Sequence, residues 1–497
     1  MPSQLLATKS IAELQADDDT GVKLERVLSA TALVALGIGA IIGTGIFVLT
    51  GTAAANHAGP ALALAFVVAG IGCTLAGLCY AEFAAMIPVS GSAYSYSYAT
   101  LGEGVAWFIG WNLVLEYLVA VGTVSVGWSG YVVSLLDQMG LHIPAVLSNA
   151  PFDQRAGSLS IVTTGAIINV PAMLIVAAIT TICYVGIRQS SAFNTWIVAI
   201  KVAVVLLFIF FGVSHIDTAN WHPFIPANTG EFGHFGYSGI MAASGVIFFA
   251  YIGFDALSTA AQETRNPQRD MPIGILGSLV ICTLLYVITA AVLTGMVKYT
   301  QLDVSAPVAL ALDTRLPSMH WLGYAVKLGA IAGMTSVMLV MTLAQARIFL
   351  AMARDGLIGQ RFARVHPRFH TPSFGTVITG IFAALIGGLF PVKILGEIVS
   401  IGTLAAFVTV CIGVLILRNT RPDLPRPFRT PAPAITCTVG ALLCLAMMLS
   451  LGIATWYRLI VWTIIGALVY AFYGYRHSRV RAGLNGAAAN PSPAPSR

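Results

Sequence analysis

Gly37, Gly39, Gly43, Gly45 and Gly51 crowd one apolar stretch, ALGIGAIIGTGIFVLTG, from Ala35 to Gly51. Glycine lets a backbone leave the helix and approach a ligand closely. Inside a bilayer a freed N–H or C=O must find a partner, so a broken helix survives there only where it lines a cavity or grips something. The chemistry on offer is therefore recognition by main-chain dipoles. A second stretch, GIMAASGVIFFAYIGFDALSTA from Gly239 to Ala260, carries a matching interruption at Gly253 and Asp255. Two ionisable groups lie deep in other apolar runs: Lys201 in WIVAIKVAVVLLFIFFG and Glu116 in WNLVLEYLVA. A charge at the centre of an apolar helix costs several kcal/mol unless it is partnered or neutral, and burial favours the neutral form of any amine. Lys201 is thus a proton-carrier candidate, with a snorkelling or structurally paired lysine as the plainer alternative. Glu116 is open to several roles: a protonated, hydrogen-bonded carboxyl, a member of a proton network with Lys201, a receiver for the cationic end of a basic ligand, or a structural group.

Such residues need spans to hold them at depth. The 497 residues are 57% hydrophobic and 9% charged, with a mean hydropathy of +0.84, where a soluble domain carries about 25% charged residues. The chain reads as an all-α, multi-pass membrane protein. A span takes about 20 mostly apolar residues, and twelve are predicted. They are Thr31–Gly51, Pro60–Met86, Val105–Leu136, Val170–Gly186, Thr195–Val213, Gly239–Ala260, Met271–Val297, Tyr324–Arg347, Gly375–Phe390, Ile394–Leu417, Ala434–Ile453 and Leu459–Tyr475. An even count returns the C-terminus to the side of the N-terminus, taken as cytoplasmic. Basic residues agree with that orientation. The outer connections hold only Arg155, Lys298, Arg315, Lys327, Lys393 and Arg458, and every other Lys or Arg except Lys201 falls on the cytoplasmic side.

The net charge of +6 is therefore topological, and nucleic acid is not an expected partner. Met1 to Leu28 carries Asp17, Asp18 and Asp19 in place of a leader's apolar core, so no signal peptide is expected. The Ala-, Pro- and Ser-rich tail from Arg479 to Arg497 reads as disordered. Cys73, Cys79, Cys183, Cys282, Cys411, Cys437 and Cys444 all fall in apolar spans without ligand spacing, so neither disulfide nor metal is expected. No cofactor is implied. The two interrupted spans lie about five spans apart, a pattern that points to inverted repeats with a site between them at mid-membrane; glycine-mediated helix packing would explain either one alone. The predicted divisions are an N-terminal segment at 1–28, a first repeat at 29–213, a second at 214–417, two appended spans at 418–478 and the tail at 479–497.

Four motifs in order then carry a likeness: GIGAIIGTGIF in the first span, PVSGSAYSYSY from Pro88 to Tyr98, FFAYIGFDALSTAAQETRNPQRDMPIGI from Phe248 to Ile275, and RIFLAMARDGLI from Arg347 to Ile358. Together they resemble the amino acid–polyamine–organocation superfamily of transporters, and within it the bacterial relatives of the cationic amino acid transporters. The resemblance implies the five-plus-five inverted-repeat fold of sodium-coupled neurotransmitter transporters, alternating access and a central amino acid site. By motif position it implies that the backbone at Gly43, Thr44 and Gly45, a half-helix N-terminus, meets a carboxylate. The carbonyls of Ile41, Phe249, Ala250 and Ile252 would meet the ammonium. Phe248 or Phe249 would serve as an aromatic lid, with ordinary core packing as the alternative for either. In the resembling proton-coupled members a fifth-span lysine stands where sodium-coupled relatives bind an ion; here that is Lys201, with Thr335 and Ser336 of the eighth span as its partners.

Met334 would fill part of the pocket and so favours small or medium neutral amino acids. Against that stand the likeness to cationic transporters and the carboxyl of Glu116. Asp255 reads as a latch near the second break, and Glu82 and Glu397 as structural. Glu263, Arg265, Arg269, Arg354 and Asp355 form either an inner gate or an arginine girdle on anionic lipids. The expected function is secondary active import of L-amino acids with protons across the cell membrane. Its expected partners are substrate, proton and lipid; a small membrane-protein partner is left open. An exchanger, or a non-transporting receptor using the same site, is the alternative. With no nucleophile–base pair and no metal motif in the sequence, an enzyme is not expected.

Overall fold

The computed structural model describes residues 2–9, 13, 26–87, 89, 91–154, 160–186, 191–369 and 371–481. The Asp17 to Asp19 run and the tail beyond 481 lie outside them. The first helices are α1 (Pro2–Leu5), α2 (Ala30–Ile41), α3 (Leu62–Met86), α4 (Ser92–Thr100), α5 (Glu103–Gln138), α6 (Val170–Val185) and α7 (Ser191–Val213). Then come α8 (Gly236–Ile247), α9 (Pro267–Met296), α10 (Pro307–Arg315), α11 (His320–Arg354), α12 (Ser373–Leu389), α13 (Val392–Thr420), α14 (Pro433–Ser450) and α15 (Ile453–Val469). Among the described residues nine helical runs are long and apolar enough to cross a membrane, and α2, α6 and α12 are shorter apolar helices. Among the described residues the all-α expectation has one exception, an antiparallel pair of three-residue strands, β1 (Phe152–Gln154) and β2 (Ile161–Thr163), in the loop before α6.

Helix α5 is the central post. It packs along α11 and α13, while α3 lies along α9, and α2 is held by α9 and α7. Large apolar side chains such as Leu174, Trp196, Phe210, Leu284 and Phe472 face outward and are more than half exposed, as surfaces solvated by acyl chains require. Helices α5 and α11 overrun their predicted spans, to Glu103 and Gln138 and to His320 and Arg354, because a helix does not stop where the apolar run stops.

One local reading changes, and the structural reading of Glu82 holds. The stretch Pro88 to Tyr98 falls between two predicted spans and so reads as a polar loop, yet Ser92–Thr100 is helical with Tyr94, Tyr96 and Tyr98 buried. Tyr96 stacks on Phe83 with ring centroids 5.3 Å apart; tertiary packing of these rings outweighs the weak helical preference of Ser and Tyr. Glu82 near the end of α3 is paired with arginine: Arg418 Nε and Nη2 donate to its two oxygens at 3.0 and 2.6 Å, and the Thr430 N–H adds a bond of 2.8 Å.

Candidate functional site

Both glycine-marked spans are broken. Helix α2 ends at Ile41, Ile42 is extended (φ −71°, ψ 105°), and helix resumes at Gly45 in a wide, π-type turn. After α8 the chain makes a tight turn from Phe248 to Tyr251, becomes extended at Ile252, passes through Gly253 at φ +119° and re-forms as a 3-10 helix from Asp255 to Glu263. Gly253 is required twice over. Its φ is in the region that favours glycine, and a Cβ there would stand 2.8 Å from the Ala40 carbonyl oxygen. The two breaks touch directly, since a Cβ on Gly45 would fall 2.2 Å from Ala250 Cα.

Lys201, fully buried on α7, reaches the end of the first half-helix. Its Nζ donates to Gly39 O at 2.6 Å and to Ser336 Oγ at 3.2 Å. Gly333 makes room for the lysine stem, being the site where a Cβ would come within 3.3 Å of Lys201 Cε. The amine therefore sits at the C-terminal end of α2, whose negative dipole end favours a cation. Thr335 is engaged elsewhere: its hydroxyl accepts from Trp128 Nε1 at 3.0 Å and donates to Ile331 O at 2.8 Å. Consecutive residues point about 100° apart around a helix of 3.6 residues per turn, so Ser336 faces Lys201 and Thr335 turns toward α5.

Tyr286 on α9 was not singled out in the sequence. Its hydroxyl donates to Ile41 O at 3.0 Å, and Tyr131 OH caps Phe47 O at 2.8 Å on the other side of the break. The available signal was a lone phenol in an otherwise aliphatic run, because a buried tyrosine hydroxyl needs a partner. The break keeps open valences as well. Thr44 Oγ1 is buried without a hydrogen-bond partner, and so are both carboxyl oxygens of Glu116. Thr44 rests against α5 at Gly127, where a Cβ would come within 2.8 Å of its hydroxyl oxygen.

Glu116 lies apart from the lysine. Asp255 and Thr403 are its polar neighbours, although neither carboxyl oxygen makes a hydrogen bond. Asp255 accepts from Tyr117 OH and, at 3.3 Å, from the Gly253 N–H, so it bridges the second break to α5. Met334 is fully buried, Phe249 is buried at the break, and Phe248 packs on Phe407 with centroids 5.4 Å apart. Glu263 pairs with Arg347 at 3.1 Å, and Asp355 with Lys9; neither basic partner was among the residues assigned to an inner gate. Glu397 accepts from Thr455 Oγ1 at 2.7 Å. Among the described residues no group of three or more His, Cys, Asp or Glu could hold a metal.

Residues 28–470 match the model of the amino acid permease family. The chain belongs to that family. It is a multi-pass membrane protein of amino acid transport, and relatives differ in what they are named for. The methylthioribose transporter of Bacillus subtilis is 45% identical over 476 residues, 96% of this chain and 99% of that protein. The branched-chain amino acid permease BcaP of the same organism is 44% identical over 481 residues, 97% and 100% of the two chains. The vacuolar cationic amino acid transporter 4 of Arabidopsis thaliana is 38% identical over 402 residues, 81% of this chain and 64% of its own length.

Proposed function

We propose that this chain imports neutral L-amino acids together with protons by alternating access, with Lys201 as the proton carrier. The observation that carries the reading is the position of the lysine amine, on Gly39 O and Ser336 Oγ beside the first break. A protonated amine there ties α7 and α11 to the half-helix end; a neutral amine loses the charge that the carbonyl dipoles attract. Protonation can therefore be read directly as a change in how firmly the first break is held.

The substrate carboxylate would lie on the N–H groups and free hydroxyl at Thr44 and Gly45, and its ammonium on the carbonyls of Ile41, Phe249, Ala250 and Ile252. A carbonyl has two lone pairs, so Tyr286 can orient Ile41 O while leaving one for the ammonium. Glu116 would hold a second proton or line the inner path, and Thr335 would steady α11 against Trp128. The three shorter helices would complete twelve spans, in two inverted repeats at 29–213 and 214–417 followed by two appended spans, with both ends of the chain in the cytoplasm of the cell. Met334 in the buried layer supports a neutral side chain of modest size, and the relative named for branched-chain amino acids supports the same class.

Proteoliposomes with an acidic exterior and no sodium are expected to accumulate radiolabelled leucine about tenfold per pH unit of gradient, since one coupled proton supplies about 1.4 kcal/mol per unit. Competition by valine and alanine, but not arginine, should accompany it. Strict sodium dependence would remove the coupling role of Lys201. Tyr286→Phe is expected to weaken leucine binding about two- to tenfold by releasing Ile41 O; unchanged affinity would limit Tyr286 to ring packing.

A further inference from the structure

Residues 4–9 cross one face of the bundle in a groove shaped for them. Its floor is two glycines. Gly102 has φ +94°, and a Cβ there would fall 2.7 Å from the Leu6 carbonyl carbon and 2.8 Å from the Leu5 oxygen; at Gly104 a Cβ would meet Leu5 Cδ2 at 3.1 Å. Backbone bonds stitch the segment down, from the Lys9 N–H to Tyr98 O at 3.2 Å and from the Glu103 N–H to Ala7 O at 3.1 Å.

Two buried carboxyls fasten the side chains. Glu103 accepts from Gln4 Nε2 at 3.1 Å, Tyr98 OH at 2.7 Å, Tyr470 OH at 2.7 Å and Ser478 Oγ. Asp355, at the end of α11, accepts from Lys9 Nζ and Tyr94 OH. Burial and then the nearby carboxylates push the phenols of Tyr94 and Tyr98 well above the ordinary tyrosine range, so both remain donors.

A buried carboxylate without enough donors is costly, and removing one member of a buried ion pair leaves an uncompensated charge. Glu103 draws its donors from the N-terminal segment, α4 and the end of the chain beyond α15. The node thus exists only while these elements are together. Helix α4 also leads to the substrate region, because Ser92 Oγ donates to Asp255 O at 3.4 Å, next to the second break.

We propose that residues 4–9 are a bolt on the inner face: seated, they hold that face closed through α4, and release of substrate to the cytoplasm requires them to leave the groove. The release step rests on the transporter reading above; the seating does not. The test is amide hydrogen exchange on the purified full-length protein. Lys9→Asp, and separately Gln4→Leu with Lys9→Met, should raise exchange in residues 92–104 and 255–263 by about tenfold or more. Lys9→Asp combined with Asp355→Lys should restore protection. Unchanged exchange in both unbolted variants overturns the proposal, and so does a rise spread equally over α6 and α12, which make none of the bonds described for the segment. Absence of uptake by wild-type proteoliposomes would remove the transporter reading while leaving the exchange result in place.

Discussion

Lys201→Ala is expected to bring the accumulation ratio of leucine in proteoliposomes with an acidic exterior down to about one, from about tenfold per pH unit in the wild type. Without a group that binds the proton there is no free energy to draw on, so substrate only equilibrates. Binding should suffer less, because the substrate contacts proposed at the breaks are main-chain groups and the Thr44 hydroxyl, while the lysine amine is bonded to Gly39 O and Ser336 Oγ. The pH profile of exchange should flatten. Removing a charge from an apolar helix relieves its burial cost, so the variant should fold and can be checked by its melting temperature. A wild-type pH profile with intact accumulation would assign Lys201 to structure.

Gly45→Val should lower leucine affinity by about 100-fold or more, in line with the effect of displacing a binding geometry by about 1 Å. The obstacle is backbone, with Ala250 Cα 2.2 Å and Ala250 N 2.9 Å from the added Cβ, so no side-chain rotation can relieve it. The two breaks must separate, and the carboxylate and ammonium subsites proposed there would separate with them. Membrane insertion should persist, since valine is as apolar as the stretch around it. Scintillation proximity binding on detergent-purified protein decides the point; wild-type affinity would move the substrate away from the first break.

The breaks were legible because a membrane helix has little reason to gather glycines, and Lys201 was legible because its charge is costly where it lies. What the sequence withheld is mostly a matter of facing. Thr335 and Ser336 are equivalent as hydroxyls, and only the rotation of α11 decides which one reaches Lys201. Tyr286 resembles any aromatic on an apolar helix until Ile41 O is placed opposite its hydroxyl. The serine–tyrosine alternation before α5 has no helical period, so α4 could not be anticipated; its helix is bought by burial of three phenol rings. Lys9 and Asp355 are 346 residues apart, and nothing local to either announces the other.

The contact of Gly45 with Ala250 also bears on how such a protein diversifies. Where Gly45 meets Ala250, the joint between the two broken spans is main chain against main chain. On the function proposed above, substitutions elsewhere around the pocket would remodel the cargo space and leave this joint intact, so a lineage could explore new cargoes on one inherited backbone contact. Relatives that share over two fifths of this sequence yet are named for a methylthioribose and for branched-chain amino acids are what such a division between joint and lining would leave behind.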